Sequence, residues 1–427
     1  MPRIFFVISV AVLAFLYGFV ARHWNLFPSG PMLAAISDLR TLAQRTSKHH
    51  LGPIVYQESG VSVIDEARIA PGTTMITSYW PEFDWGTGIR MIDVDGDTLH
   101  RWRVVPDEIF GPPPRQIGRY QYIHGAHVFP NGDALFNIEM RGVARVDACG
   151  EVIWALQNES HHSIAEGEDG NFWIPGLELY TGDSEADREV LARFPGLRTP
   201  FFDDLLRQIS PDGEVLQELS VLQILYSNGL QRYLAKQDLK KGDVTHLNDI
   251  EPLPTAIADQ YPLFEAGDLV VSLRFPHLVF VVNPESGVVK WHESDLIIEQ
   301  HDPDFIGDGW IGIFDNNMNN TDRGEMLGGS RIAAVRPHTG ETEILYPTQG
   351  AQPFYTAWAG KWQQLDNGNR LITEARPGRV FEVTPDGELV WQWVHEPYDN
   401  RHVTEVKEGS RYPYTAEQIA AWACSPE

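Results

Sequence analysis

The stretch "LDNGNRLITEARPGRVFEVTPDGELVWQW", residues 365–393, contains the pattern that decides the fold. It alternates short apolar runs with polar turns at residues 366–368 and 385–387. Asn-Gly and Asp-Gly supply the positive φ that tight hairpin turns require, so the stretch predicts two successive β-hairpins. Two hairpins contain four strands, which is the content of one propeller blade.

Both hairpin units recur six times along the chain, and the third period is stretched by residues 181–209 and 221–243. The inserted segments have partly helical patterns, so we predict helical insertions there. Six periods predict an all-β fold, a six-bladed β-propeller over residues 54–400, because a closed ring leaves no long exposed sheet edge. The turn glycines are Gly72, Gly132, Gly170, Gly267, Gly309 and Gly368 in the first unit, and Gly96, Gly150, Gly213, Gly287, Gly340 and Gly387 in the second.

An apolar run occupies residues 4–21, which carry no charge. A helix of that length spans roughly 27 Å, close to the hydrocarbon thickness of a bilayer. Phe19 stands where a signal-peptide cleavage site requires a small residue, so we prefer an uncleaved signal anchor or transmembrane helix over residues 1–22. We therefore expect a single-pass inner-membrane protein that interacts with the membrane through this helix and exposes the propeller to the periplasm.

Two further regions flank the predicted propeller. Residues 23–53 are expected to form a membrane-proximal helix and a linker, since apolar side chains share one helical face within 32–43. Residues 401–427 are expected to form a tail with a short helix, because Thr415 and Gln418 have the spacing of a capping box.

Composition excludes some function classes. The 427 residues include 33 basic and 59 acidic side chains, a formal net charge of −26, and no Lys/Arg-rich run. Such a surface repels phosphate backbones, so nucleic-acid binding is not expected. Cys149 and Cys424 permit one disulfide without showing that they pair, and two cysteines are too few for a cysteine-based metal site.

Histidines recur near the starts of the predicted innermost strands, which line the channel of a propeller, so their side chains should point to one axis. Two chemistries are open. Clustered neutral imidazoles bind zinc or copper, whereas imidazoles beside an arginine bind an anion, with one imidazole as nucleophile. Arg274 favours the anion, since a guanidinium repels a metal ion. The histidines are His127 in "HGAHVFPNG", His161 and His162 in "ESHHSIAEGEDG", His246 in "DVTHLNDIEPL" and His301 in "EQHDPDFIGDG".

An ordered set of segments resembles the bacterial arylsulfotransferase (arylsulfate sulfotransferase) family over roughly residues 120–395. The segments are "DVTHLNDIEPL", "GDLVVSLRFP", "VVNPESGVVKW", "EQHDPDFIGDGWIGIFDNN", "SRIAAV" and "LDNGNRLITEARPGRVFEVTPDGELVW". The resemblance implies a six-bladed propeller that moves a sulfuryl group from an aryl sulfate donor to a phenolic acceptor. It also implies ping-pong kinetics through a sulfohistidine, with neither the nucleotide donor PAPS nor a cofactor or metal.

The resemblance implies roles for individual residues. His301, in the Gln-His-Asp element, matches the histidine that carries the sulfuryl group. His246 and Arg274 match the pair that binds sulfate, and His162 matches a further histidine of the family, with His161 as the alternative. All five are therefore candidate substrate-binding or catalytic residues.

Other aromatic and polar residues near these segments are expected to be structural. We assign no catalytic role to His127 or to Asp315-Asn316, and we expect Phe354 and Trp358 to pack within the blades. Family members carry an extra N-terminal β-domain, whereas here only residues 23–53 separate the predicted anchor from the predicted propeller. The substrate class and the formation of a homodimer are therefore left undecided. A non-catalytic scaffold of the cell envelope and a metal- or quinone-dependent propeller enzyme are the alternatives.

Overall fold

The computed structural model describes residues 2–23, 50–112, 121–236, 242–321 and 323–422. It separates into two compact units, Met1–Leu51 and Gly52–Glu427. The first contains an α-helix, Pro2–His23, at the position of the predicted anchor. In the part of the chain that the structure describes, no helix is long and apolar enough to cross a membrane. The transmembrane helix of the predicted fold is therefore not found there, and the helix predicted within 32–43 lies outside the described residues.

The second unit is an all-β, six-bladed propeller, as predicted. Each blade is an antiparallel sheet of four strands, except the sixth, which has five. From the channel outward, blade 1 is Glu408–Tyr412, Thr73–Trp80, Gly86–Ile92 and Thr98–Arg103; blade 2 is Ile123–Val128, Ala134–Ile138, Gly142–Val146 and Val152–Leu156; blade 3 is Ala165–Glu166, Phe172–Tyr180, Phe201–Ile209 and Val215–Ser220. Blade 4 is Leu247–Pro252, Leu269–Leu273, Leu278–Val282 and Val289–Glu293; blade 5 is His301–Phe305, Ile311–Asp315, Arg331–Arg336 and Glu341–Tyr346; blade 6 is Lys361–Gln364, Arg370–Glu374, Arg379–Val383, Leu389–Val394 and Gly60–Ile64.

Both ends of the propeller chain take part in closing the ring. Glu408–Tyr412 pairs with Thr73–Trp80 as the innermost strand of blade 1. Gly60–Ile64 pairs with Leu389–Val394 as the outermost strand of blade 6. The segment after residue 400, assigned to a tail by the sequence pattern, thus supplies a strand that the ring needs. Without that strand, the inner edge of Thr73–Trp80 would be unpaired.

Helical insertions extend blade 3. Glu185–Arg193 forms a helix whose N-terminus is capped by the Ser184 side chain, and Val221–Ser227 forms a second one. A 3-10 helix, Gln231–Lys236, follows. These segments bury their apolar side chains in the core cluster shared by blades 3 and 4. Residues 201–209 of the first predicted insertion form a blade strand instead.

Short elements complete the fold. The helix Ala416–Ala420 begins with the predicted capping box of Thr415 and Gln418, and Ile419 and Trp422 pack into the core of blades 1 and 2. Cys149 is disulfide-bonded, and the other cysteine of the sequence, Cys424, lies outside the described residues. The remaining elements are the helices Pro106–Phe110 and Thr255–Ala258, the 3-10 helix Pro81–Phe83, and the short strands Leu51–Pro53 and His402–Thr404.

Candidate active site

The innermost strands surround one channel with two cavities. A narrow cavity is lined by the first residues of these strands and by the loops before them. Its volume is about 10 Å³, measured as the space that the centre of a water molecule can occupy, so it holds about one water. Later residues of the same strands line a wider cavity of about 660 Å³. Asp302 and Lys361 line both cavities, so the two are successive levels of one channel.

Four histidines from four blades meet at the narrow level. The ring centroids of His124 and His162 lie 4.0 Å apart, and those of His162 and His246 lie 5.1 Å apart. His301 is buried and lies close enough to His124 and His246 for their charges to affect its pKa. The structure therefore brings together His162, His246 and His301, as the sequence pattern predicts, and adds His124.

His127 does not belong to this cluster, although the sequence pattern pointed it to the same axis. It lies on the wider cavity, where its Nε2 is 3.5 Å from Glu166 Oε2. Burial and the charge of Arg145 lower its pKa to about 4. His124 occupies the expected place because it lies near the start of the strand Ile123–Val128, at the narrow level, whereas His127 lies three residues further along the channel.

The tautomer of His301 is fixed by Asn316. The Asn316 Nδ2 group donates to the carbonyl oxygens of Thr356, at 2.9 Å, and Ala359, at 2.8 Å. The side-chain oxygen of Asn316 must therefore be the atom 2.6 Å from His301 Nδ1, and it can only accept. Neutral His301 consequently carries its proton on Nδ1 and a lone pair on Nε2. The sequence pattern predicted no role for Asn316 in the site.

Carboxylates hold two further imidazoles in the same way. His124 Nδ1 is 2.7 Å from Glu139 Oε2, and His246 Nδ1 is 2.6 Å from Asp243 Oδ2. Burial alone would raise the pKa of Glu139, but His124 and the neighbouring imidazoles outweigh it and lower the pKa to about 2. The pKa of Asp243 is also lowered, because attraction to His246 outweighs burial. Both carboxylates are therefore ionised and accept from Nδ1–H, which leaves Nε2 for ligands.

His161 and His162 form a proton-sharing pair, with their Nδ1 atoms 2.7 Å apart. His161 Nε2 is 3.3 Å from the Gly176 carbonyl and 3.5 Å from Asp204 Oδ1, so it donates there. Burial would lower the pKa of His161, but Asp204 and Glu139 outweigh it and the pKa is raised. When His161 is cationic, its Nδ1 donates to His162, whose own proton then sits on Nε2. The charge of His161 thus decides whether His162 offers a donor or an acceptor.

Burial and neighbouring positive charge keep the other imidazoles neutral. The pKa of His301 lies well below its usual value because of burial and the charge of Arg274. Burial and the surrounding imidazoles also hold the pKa of His162 well below that value. Burial lowers the pKa of His124 as well, against the opposing effect of Glu139. His301 therefore meets the main requirement of a nitrogen nucleophile, a lone pair at neutral pH.

Arg274 stands beside His246, as expected, but it is already paired. Its backbone N–H donates to the His246 carbonyl at 3.0 Å, and its guanidinium forms an ion pair with Glu299. The Arg274 Nε is buried and has no hydrogen-bond partner among the described residues. A buried donor without an acceptor is costly, so this group is available to an anionic ligand.

Two lysines that the sequence pattern did not single out also line the narrow cavity. Lys407 Nζ is 2.5 Å from Glu405 Oε2, and Lys361 Nζ is 2.9 Å from Asp302 Oδ1. The attraction of Asp302 and other carboxylates outweighs burial and raises the pKa of Lys361 well above its usual value. These two side chains add N–H donors to the narrow cavity.

Carboxyl groups line both levels of the channel: Asp249 lies on the narrow cavity, and Glu251 and Asp304 line the wider one. Burial raises the pKa of Asp249 to about 7 and that of Glu251 to about 8. Burial and Asp302 hold the pKa of Asp304 well above its usual value. The wider cavity is therefore rich in carboxyl groups, and Asp249 brings one such group to the level of the imidazoles.

Some of these side chains are also suited to a metal ion. The ligand atoms of His124, Glu139 and His162 lie within 4.8 Å of one another. Imidazole and carboxylate are ligands of zinc. The arrangement can thus hold either a divalent metal ion or an anion, depending on the protonation of the imidazoles.

Fold and site define a class of protein: a six-bladed propeller whose channel gathers imidazoles from several blades beside a guanidinium. Residues 125–396 match the sequence profile of the arylsulfotransferase (ASST) family, and the chain belongs to that family. The matched region contains His162, His246, Arg274 and His301. No curated protein matches the chain in sequence.

Solved structures resemble the chain only distantly. A protein of unknown function from Bacteroides caccae is 12% identical, with a TM-score of 0.47, covering 75% of this chain and 93% of its own. An inactive virginiamycin B lyase variant from Staphylococcus aureus is 11% identical, with a TM-score of 0.36, covering 64% and 71%. TolB from Acinetobacter baumannii is 11% identical, with a TM-score of 0.40, covering 79% and 66%. These similarities carry no argument about function.

Proposed function

We propose that the protein is an aryl sulfotransferase that moves a sulfuryl group from an aryl sulfate to a phenolic acceptor, with His301 as the transient carrier and without PAPS. Membership of the arylsulfotransferase family supports the reaction class. The observation that carries the assignment of His301 is its hydrogen bond to Asn316, which leaves the Nε2 lone pair free. The low pKa of the same imidazole keeps that lone pair unprotonated at neutral pH.

The reaction proceeds in two displacements. The His301 Nε2 lone pair forms a bond to sulfur while the bond from sulfur to the aryl oxygen breaks and the phenolate leaves. The acceptor oxygen then bonds to sulfur, the S–N bond breaks, and the acceptor proton passes to solvent or to a nearby base. Two half-reactions of this kind give ping-pong kinetics.

The other side chains hold the sulfuryl oxygens and balance their charge, as positioning and electrostatics do in phosphoryl transfer. Arg274 supplies the unpaired Nε–H. His162 donates through Nε2 when His161 is cationic. Since the narrow cavity has room for about one water, a bound sulfate ester must displace surrounding side chains.

The test uses the purified protein with 4-nitrophenyl sulfate as donor and phenol as acceptor. We expect release of nitrophenol and, in donor-treated protein without acceptor, a mass gain of one sulfuryl group. His301→Ala should lose both signals. His127→Gln is the matched control, because His127 lies in the same channel outside the cluster. Absence of turnover with several aryl sulfates, or a mass gain that persists in His301→Ala, would contradict the assignment.

A metal-dependent activity is the second candidate. It is favoured by the ligand atoms of His124, Glu139 and His162, which lie within 4.8 Å of one another. Hydrogen-bond partners that fix Nδ1–H are typical of metal-binding histidines. Arg274 opposes it, since its positive charge acts on His301 in the same cluster. Metal analysis of protein purified without chelators separates the two: a stoichiometric metal lost in His124→Ala would replace the sulfotransferase mechanism.

Localisation and assembly also belong to the proposal. We propose that residues 1–22 anchor the protein in the inner membrane, with the propeller in the periplasm, and that it acts on small aryl donors and acceptors. Support comes from the uncharged run at residues 4–21. Fractionation of cells and protease accessibility of the propeller in spheroplasts test the location. Light scattering of the purified protein tests whether a homodimer forms.

A further inference from the structure

A recess separate from the imidazole cluster opens between blades 5 and 6. Its walls are the loop after Ile311–Asp315, the loop before Lys361–Gln364 and the loop after Arg370–Glu374. These loops lie at the end of the propeller where the innermost strands begin, the same end as the four histidines. The cavity measures about 790 Å³, within the range that holds a drug-sized organic molecule.

Aromatic side chains and arginines line this recess. Tyr56, Tyr355 and Trp358 contribute rings, and Phe354, which is buried against Phe314 and Phe381, closes the floor. The expected packing role of Phe354 agrees with this burial. Trp358 is only half-buried, so part of its ring remains accessible to a ligand.

The Arg376 guanidinium stacks on the Trp358 ring, with its central carbon 3.8 Å from the ring centroid. Among the described residues, neither Arg376 nor Arg323, on the opposite loop, forms an ion pair with a carboxylate. Arg379 nearby differs, because it is buried and paired with Glu374. A guanidinium that lies on an aromatic ring without a carboxylate partner can bind a planar anion through its N–H groups.

The recess is connected to the imidazole cluster by one loop, residues 354–359. The Thr356 and Ala359 carbonyls of this loop hold Asn316, which orients His301. The Trp358 indole donates to Glu405 Oε1 at 3.3 Å, and Glu405 pairs with Lys407 in the narrow cavity.

Tyr355 provides a second connection on the same loop. Burial raises the pKa of its phenol, and the charges of Arg376 and of Glu299, the ion-pair partner of Arg274, act on it as well. Tyr355, which lines the recess, is therefore within electrostatic range of both Arg376 and the ion-pair partner of Arg274.

We propose that this recess binds aromatic substrates that carry a second anionic group, with the ring against Trp358 and Tyr355 and the anionic group on Arg376. This inference rests on the proposed function only in naming the ligand as donor or acceptor, and it narrows the substrate class from phenols to anionic phenols. Arg323 lines the opposite wall together with Glu325, whose charge offsets its own, so Arg376 is the group assigned to the anion.

The probe is 4-hydroxybenzoate, a phenol that carries a carboxylate and has no sulfuryl group to transfer. Its binding is measured by calorimetry in the wild type and in Arg376→Gln, Arg376→Lys and Trp358→Leu, with unsubstituted phenol as the uncharged comparison. We expect Arg376→Gln to bind the probe about tenfold more weakly, since a charge-assisted hydrogen bond is lost. Arg376→Lys should recover part of the loss, and phenol binding should not respond to Arg376→Gln.

Arg336→Gln is the matched control, because Arg336 also stacks on a tryptophan, 4.3 Å from the Trp310 ring, but away from the recess. Equal probe affinity in the wild type, Arg376→Gln and Trp358→Leu would overturn the proposal. Failure of the proposed function can be told apart from failure of this inference, because His301→Ala should bind 4-hydroxybenzoate as tightly as the wild type does. If the wild type turns over aryl sulfates but Arg376→Gln leaves the Michaelis constant for a carboxylated phenyl sulfate donor unchanged, the recess alone is refuted.

Discussion

Replacing Asn316 tests whether a single hydrogen bond prepares His301 for attack. The bond from His301 Nδ1 to Asn316 is 2.6 Å long and fully buried. Leaving a buried donor unpaired costs about 1–3 kcal/mol, and tenfold in population corresponds to about 1.4 kcal/mol. In Asn316→Leu the reactive tautomer therefore loses its preference over the other one, and we expect kcat/KM to fall about 10–100-fold, the range typical of partners that orient an active imidazole.

Asn316→Asp has a different expected signature. The new carboxylate still accepts from Nδ1–H, and an opposite charge at this distance raises a histidine pKa by about 1–3 units. Activity is lost as pH falls through the pKa of His301, because the protonated ring has no lone pair. In the wild type that loss should lie well below pH 6.5, and in Asn316→Asp it should move to higher pH.

The assays are nitrophenol release between about pH 5 and 9 and the ¹⁵N NMR shifts of His301, which report the tautomer without turnover. The reasoning is refuted if Asn316→Leu keeps both the wild-type kcat/KM and the Nδ1–H tautomer. A melting temperature for each variant separates loss of this bond from unfolding, since Asn316 also holds two carbonyl groups.

Three further predictions concern the stability of the propeller. His127 has a pKa of about 4 in the fold and about 6.5 in the unfolded chain, so its contribution to the free energy of unfolding is complete above pH 6.5 and declines as pH falls. Between pH 7.5 and 5, urea titrations should show that His127→Gln loses about 2 kcal/mol less stability than the wild type. Equal losses in the two proteins would contradict this. Gly360→Ala should lower the melting temperature more than Gly340→Ala. Both glycines have positive φ, but a Cβ at Gly360 would lie 2.6 Å from the Phe314 ring, whereas a Cβ at Gly340 would meet open space. Equal changes in melting temperature would count against the packing argument. Deleting residues 406–427 should give aggregated protein in gel filtration, because it removes the innermost strand of blade 1, and a monomeric, folded truncation would show that ring closure is dispensable.

The sequence predicted the blades well because their signals are local. Each hairpin needs a turn glycine and two short apolar strands, and these lie within about 25 residues of one another. Ring closure is not local: Glu408–Tyr412 pairs with Thr73–Trp80, more than three hundred residues away. Nothing in the residues near Thr73 shows that its inner neighbour comes from the end of the chain, so the boundary at residue 400 was placed too early.

The candidate site was partly predictable for a similar reason. His246 and His301 stand at the starts of innermost strands, so a strand pattern places them. His124 and His127 lie three positions apart in one strand, and which of them reaches the cluster depends on where along the channel that strand begins, which the sequence pattern does not specify. Glu139 and Asn316 come from neighbouring strands and loops, so their contacts with the imidazoles depend on pairings that the sequence pattern does not specify.

Ring closure by Glu408–Tyr412 has a consequence for the order in which the protein matures on the ribosome. Blades 2 to 5, which carry the four imidazoles, are synthesised and can form their sheets before this strand has left the exit tunnel. Until then the ring is open between blades 1 and 6, and the distances between the imidazoles across the channel are not fixed by ring closure. Chemistry that depends on those distances therefore begins only when synthesis is nearly finished.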